Sequence, residues 1–132
     1  MFREINRISE DGGLYGKGVI HASSGFSQVA DTPSGPLCGE SAWNSTLHID
    51  AMWQLLGFFL AWKGNQGRGR ALGAKDIVID DRTLSSSGEL IYEINVKRIV
   101  KRDIVLGIAD GTLSRGGRIG CRAEDLRVAV FP

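Results

Sequence analysis

Cysteine, proline and histidine are all scarce in this chain of 132 residues. The two cysteines, Cys38 and Cys121, stand far apart and in no metal-ligand spacing. That excludes a disulfide framework or a zinc motif as an organising feature and suits free thiols in a reducing compartment. The internal prolines, Pro33 and Pro36, are confined to one short stretch. No charge of either sign prevails: 16 Lys and Arg stand against 15 Asp and Glu, a net charge of +1. A general attraction to nucleic acid or to a membrane is therefore not expected, and an electrostatic partner has to be read by a local patch. Met1-Phe2-Arg3-Glu4 is not a cationic start followed by an apolar run, so no signal peptide is expected. The longest apolar stretch, Ile49 to Trp62, is too short to span a bilayer and contains a carboxylate. Cytoplasm is the expected compartment. No metal-binding or nucleotide motif is present; Gly67-Arg68-Gly69-Arg70 is glycine-rich and cationic but follows a helix instead of opening one.

What is there fits a single domain over residues 1–132, with no internal repeat and no linker. Apolar residues make up 42% and charged residues 23%, enough of the former to build a globular core. Eighteen glycines point to many tight turns between short strands. Phe2, Ile5 and Ile8 mark an opening strand or helical turn, and Leu14 to His21 reads as a strand. Ala22 to Thr46 has no sustained period and reads as a long loop. From Ile49 to Trp62 the polar side chains are Asp50 and Gln54 alone, so a helix over about residues 48–63 is predicted, buried on every side. Lys63-Gly64 supplies a cation and a left-handed cap for its C-terminus.

Beyond Gly73 the pattern is sheet. Leu90, Tyr92, Ile94 and Val96 alternate with polar residues, a turn at Lys101-Arg102-Asp103 leads to Ile104–Leu113, and Arg115-Gly116-Gly117-Arg118 turns into a last strand. Three consecutive antiparallel strands and one helix predict an α+β architecture: a curved sheet wrapped around a single buried helix.

A carboxylate at the start of an apolar helix has two readings. Asp50 caps the helix, since Asp is among the preferred N-cap residues. Alternatively it is part of a site, because Gln54 lies one turn on and shares its face.

The run Leu47-His48-Ile49-Asp50-Ala51-Met52-Trp53-Gln54-Leu55-Leu56-Gly57-Phe58, followed by Gly67 to Gly73, resembles the bacterial 3-hydroxydecanoyl-carrier-protein dehydratase/isomerases. The likeness continues through Val96–Val100, Gly107–Gly111 and Asp125–Val128 and reaches Gly12-Gly13 and Lys17-Gly18. It implies a hot-dog fold, a homodimer, and a substrate carried as a thioester on the phosphopantetheine of an acyl carrier protein, with no cofactor and no metal. The implied activity is dehydration of 3-hydroxyacyl thioesters to trans-2-enoyl thioesters in fatty-acid biosynthesis, with trans-2 to cis-3 isomerisation as a further step. The family's site pairs the helix Asp with a loop His across the dimer interface, and amides at the helix N-terminus polarise the thioester carbonyl.

The loop departs from that pattern. Counting without gaps from Gly12-Gly13 to Asp50 puts Pro36 where the family's His stands, and Asn44-Ser45 where a Pro-Gly pair leads into the helix. Two histidines remain: His48, near the helix start and a candidate replacement base, and His21, which reads as structural. The candidate catalytic set is thus Asp50 and His48 with Gln54 in support. Arg98, Lys101, Arg102 and Arg127 match positions where the family presents cations to the carrier protein. Two other functions remain open: a hot-dog thioesterase using Asp50, and an acyl-carrier-binding relative that has lost catalysis with the His.

Overall fold

The computed structural model describes residues 4–24, 40–80, 82 and 89–132. Strand β1 (Glu4–Ser9) and strand β2 (Val19–Ser24) come first, then helix α1 (Glu40–Trp62). Five strands follow: β3 (Arg68–Gly73), β4 (Asp76–Ile79), β5 (Leu90–Lys101), β6 (Val105–Arg115) and β7 (Arg118–Phe131). They form one antiparallel sheet in the order β1-β2-β5-β6-β7-β3, with β4 pairing the first half of β7 on the same edge as β3. Among the described residues this is the curved sheet around one long helix expected of a hot-dog fold.

The meander forms as the alternation predicted. Ile20 pairs with Ile94, Ile94 with Gly111, and Ala109 with Leu126, so one face of four strands is apolar and turned to the helix. Phe2 and Pro36 lie outside the described residues, as does most of the stretch read as a loop. The opening segment is strand from Glu4, but the strand expected from Leu14 starts only at Val19. Residues 10–18 instead fold back on themselves, with the Gly18 amide donating to the Gly12 carbonyl at 2.9 Å.

Helix α1 begins at Glu40, eight residues before the predicted start. Glu40 to Leu47 contains neither Gly nor Pro, so nothing stops the apolar segment from propagating helix backwards through residues of middling propensity. Its C-terminus closes as expected. Gly64 takes a φ of +98°, its amide donates to Ala61, and the Asn65 amide donates to Leu60, the paired bonds of a Schellman cap.

The helix is not buried on every side. His48, Ala51, Met52, Leu55, Leu56, Phe59 and Leu60 form one buried stripe at spacings of three and four. They lie so close to β6 that a Cβ on Gly107 or Gly111 would stand 2.9 Å from Leu60 or Met52. The opposite stripe, Asp50, Gln54, Phe58 and Trp62, faces outward, with Phe58 48% and Trp62 46% exposed. One sheet covers one side of a helix, and among the described residues nothing covers the other.

Candidate active site and carrier-facing surface

Because α1 starts at Glu40, Asp50 sits ten residues inside it, about 15 Å along the axis from Glu40. It is neither a cap nor beside free helix amides: the N–H groups of residues 46–49 are already bonded within the helix. The expectations that Asp50 caps the helix and that first-turn amides stand next to it are therefore corrected by the helix boundary. Asp50 reaches water instead, on the exposed stripe. Gln54, one turn on, donates from Nε2 to Asp50 Oδ2 at 2.9 Å, so these two are brought together as the i, i+4 spacing required. Trp53, beside them, is tied to the end of β3 by a 3.2 Å bond from its indole N–H to the Gly73 carbonyl. The result is a carboxylate hydrogen-bonded to Gln54 on a helix stripe that also carries Phe58 and Trp62.

His48 is two residues away, and two residues turn a helix by about 200°. Its ring accordingly enters the core, 3% exposed, and shares a 2.8 Å hydrogen bond with the Tyr92 hydroxyl of β5. Burial, reinforced by the nearby Arg115 guanidinium, pulls its pKa down to about 4, so it is neutral at physiological pH. Burial and the adjacent Cys121 push the Tyr92 hydroxyl up from the usual phenol range. Burial also raises the Cys121 thiol to about 11, an inert position for a free cysteine. The structure thus separates His48 from Asp50. Sequence reading missed Tyr92 as its partner, although the inward phase of Tyr92 in β5 was a signal, since a buried tyrosine hydroxyl seeks a polar mate.

His21 points the other way again. Its neighbours Ile20 and Ala22 are buried against the helix, so the ring lies on the outer face of the sheet, 2.9 Å from Glu93.

The four cations divide into two groups. Arg98 of β5, Ile108 of β6 and Arg127 of β7 are direct cross-strand partners, which sets both arginines on one outward row. They line a shallow groove of about 330 Å³ together with Lys97 and Asp125. Lys101 and Arg102 lie further along at the exposed β5–β6 turn. Beside the groove the sheet is bent by two bulges, at Lys97 in β5 and at Asp125 in β7, where Asp125 takes a φ of +54°. Lys97 pins both, bonding Asp125 at 2.7 Å and standing 3.6 Å from Asp110, while Tyr15 donates to Asp110 and stacks under the Lys97 ammonium. Lys97 also holds the Asp125 carboxyl below its usual range. Its charge is thus satisfied locally, and Arg98 and Arg127 form no ion pair among the described residues. This cationic row is on the side of the sheet away from the helix, and Asp50 is on the side of the helix away from the sheet.

Among the described residues no helix is long and apolar enough to cross a membrane. In solved structures the chain is similar to the dehydratase heterocomplex ApeI:P from Xenorhabdus doucetiae, with a TM-score of 0.66 at 15% identity, covering 99% of this chain and 82% of that one. It is also similar to AziG from S. sahachiroi, with a TM-score of 0.57 at 15% identity over 97% of this chain and 90% of that one. At such identity these likenesses speak for the fold. The sequence itself matches the FabA-like domain over residues 1–124, and the chain belongs to that family.

Proposed function

We propose that the chain serves in dehydration of 3-hydroxyacyl thioesters to trans-2-enoyl thioesters, on acyl groups carried by the phosphopantetheine of an acyl carrier protein. The observation that carries this reading is the Asp50 carboxylate, fixed by Gln54 on an exposed helix face with Phe58 and Trp62. Loss of water needs a group that protonates the departing hydroxyl, and a positioned carboxyl is suited to it. An apolar surface beside it suits an acyl chain, or a second hot-dog chain closing over one. No cofactor is required, because the thioester itself acidifies the C2 proton. The cationic row through Arg98 and Arg127 is the proposed landing place for the acidic carrier, which delivers the acyl group around the sheet on its long flexible arm. Isomerisation of the trans-2 to the cis-3 product belongs to the same proposal, since it too moves single protons along the chain. The family resemblance adds a homodimer in the cytoplasm, whose contact would cover Phe58 and Trp62.

A second reading has its own support. With Pro36 in place of the family's His and the helix continuing back to Glu40, both the base and the nearby free amides are absent from Asp50. That combination favours a carrier-binding chain with little turnover of its own. The two are separated by incubating the protein with a 3-hydroxydecanoyl thioester and following enoyl absorbance and thiol release together. Enoyl product that disappears in Asp50→Asn supports the dehydratase. Free thiol identifies a thioesterase, and carrier binding without either product identifies the second reading.

A further inference from the structure

We infer that the return of the chain at residues 10–18 is a rigid apolar anchor for the carrier, in which Leu14 makes a contact that the cationic row does not supply. The inference rests on the proposed landing of an acidic carrier at Arg98 and Arg127, and it adds to that surface an element of different chemistry. Leu14 is the most exposed large apolar side chain among the described residues, at 74%, and Tyr15 beside it is 42% exposed. An exposed leucine taken alone says little, since much of any protein surface is apolar. What distinguishes this one is where it stands and how firmly it is held.

Residues 10–18 fold over the outer face of β5 and β6, the face that carries the arginine row. The Leu14 amide donates to Asn95 Oδ1 at 2.9 Å. Asn95, 3% exposed, is itself oriented by a 2.8 Å bond from its Nδ2 to Glu93. The Val96 amide donates to the Gly18 carbonyl at 2.9 Å, and the Tyr15 hydroxyl donates to Asp110. The Tyr15 ring lies 5.6 Å from the Lys97 ammonium, and Lys97 lines the groove that holds Arg98, Ile108 and Arg127. The loop tip and the cationic row thus border one depression, with Ile108 between the two arginines. Asp110 and Asp125 neutralise Lys97, so the charge offered there comes from Arg98 and Arg127. The acids of the return, Glu10 and Asp11, stand at its β1 end, where Asp11 accepts from Ser9. An acidic surface with an apolar side chain among its carboxylates satisfies both borders: the carboxylates meet the arginines and the apolar group meets Leu14. Because the return is tied to two residues of β5 and one of β6 beforehand, little of it has to be ordered on association.

The test measures calorimetric binding of the full chain to an acyl carrier protein of the same host at low and high salt. The carrier's pantetheine is loaded with 3-hydroxydecanoate through a non-hydrolysable amide. Leu14→Ser is compared with Arg98→Glu and with Val78→Ser, a control on strand β4 whose side chain is 66% exposed. Leu14→Ser is expected to weaken binding about tenfold at both salt concentrations, because an apolar contact is not screened. Arg98→Glu is expected to weaken it at low salt and far less at high salt, and Val78→Ser to leave it unchanged. The urea midpoint of Leu14→Ser should equal that of the unaltered protein, since the side chain stands in water. Undiminished binding by Leu14→Ser, a loss confined to low salt, an equal loss in Val78→Ser, or a midpoint that falls with the affinity overturns the anchor. The landing of the carrier on the arginines fails separately: binding weakened by Leu14→Ser but indifferent to Arg98→Glu and to salt keeps the anchor and removes that landing. Binding that survives Leu14→Ser and is lost in Arg98→Glu does the reverse, and a carrier that does not bind at all overturns both.

Discussion

Asp50 and His48 stand two residues apart on one helix and face opposite ways, Asp50 into water and His48 into the core. What separates them is the helical phase, which the sequence contained, and the helix start, which it concealed. Had α1 begun at residue 48, His48 would have been a frayed residue free to turn toward Asp50; ten residues inside the helix Asp50 has no such neighbour. The i, i+4 pairing with Gln54 was legible because it depends on spacing alone. His48 carries a stability signature. Its pKa is about 4 in the folded chain against about 6.5 unfolded, so the unfolded state binds the extra proton between those values. Stability is then full above pH 6.5 and falls as pH drops toward 4, by up to about 3 kcal/mol over the window. Urea midpoints at pH 7.5 and pH 5 check this: the decline should be clearly smaller in His48→Leu than in the unaltered protein, and an equal decline would remove His48 as its source.

At the scale of elements, the helix and the β5–β6–β7 meander could be read from periodicity, because alternation and turn residues act locally. The return of the chain at residues 10–18 could not, since it is held by distant partners: the Leu14 amide bonds Asn95, and the Val96 amide bonds Gly18. Gly18 is fixed there twice over, by a φ of +134° and by Phe59, whose ring would lie 2.3 Å from an added Cβ. Gly18→Ala should therefore destabilise by about 1–3 kcal/mol or more in chemical denaturation, from overpacking and backbone strain together. A second contrast tests which helix face is core. Leu56→Ala, in the buried stripe, should cost ~2–5 kcal/mol. Phe58→Ala, on the exposed stripe, should cost the isolated chain well under that and should instead weaken whatever assembly covers it, visible in sedimentation. Comparable losses from both would mean that the helix is enclosed within one chain after all.

The whole molecule presents two candidate surfaces on opposite sides: a cationic row across β5, β6 and β7, and an aromatic stripe bearing Asp50. Sequence reading named Asp50, Gln54 and the cations but not their arrangement, and it took Phe58 and Trp62 as buried, because register across three strands and exposure of a helix flank are tertiary facts. If Arg98 and Arg127 with Lys101 and Arg102 receive an acidic carrier, its binding should weaken as the screening length falls from ~10 Å at 0.1 M salt to ~3 Å at 1 M. Arg102→Glu should reproduce that loss at low salt with thermal stability unchanged; binding indifferent to salt would reduce the row to a solvated surface. The most direct measurement concerns Asp50 itself: the rate of enoyl-thioester formation by the intact native assembly, with and without Asp50→Asn. The exposed mid-helix position should leave stability within ~0.5 kcal/mol. The expected result is a ~10²–10⁴-fold loss of rate at unchanged stability. A rate that survives the substitution would contradict the assignment of the Asp50 face as the reactive one.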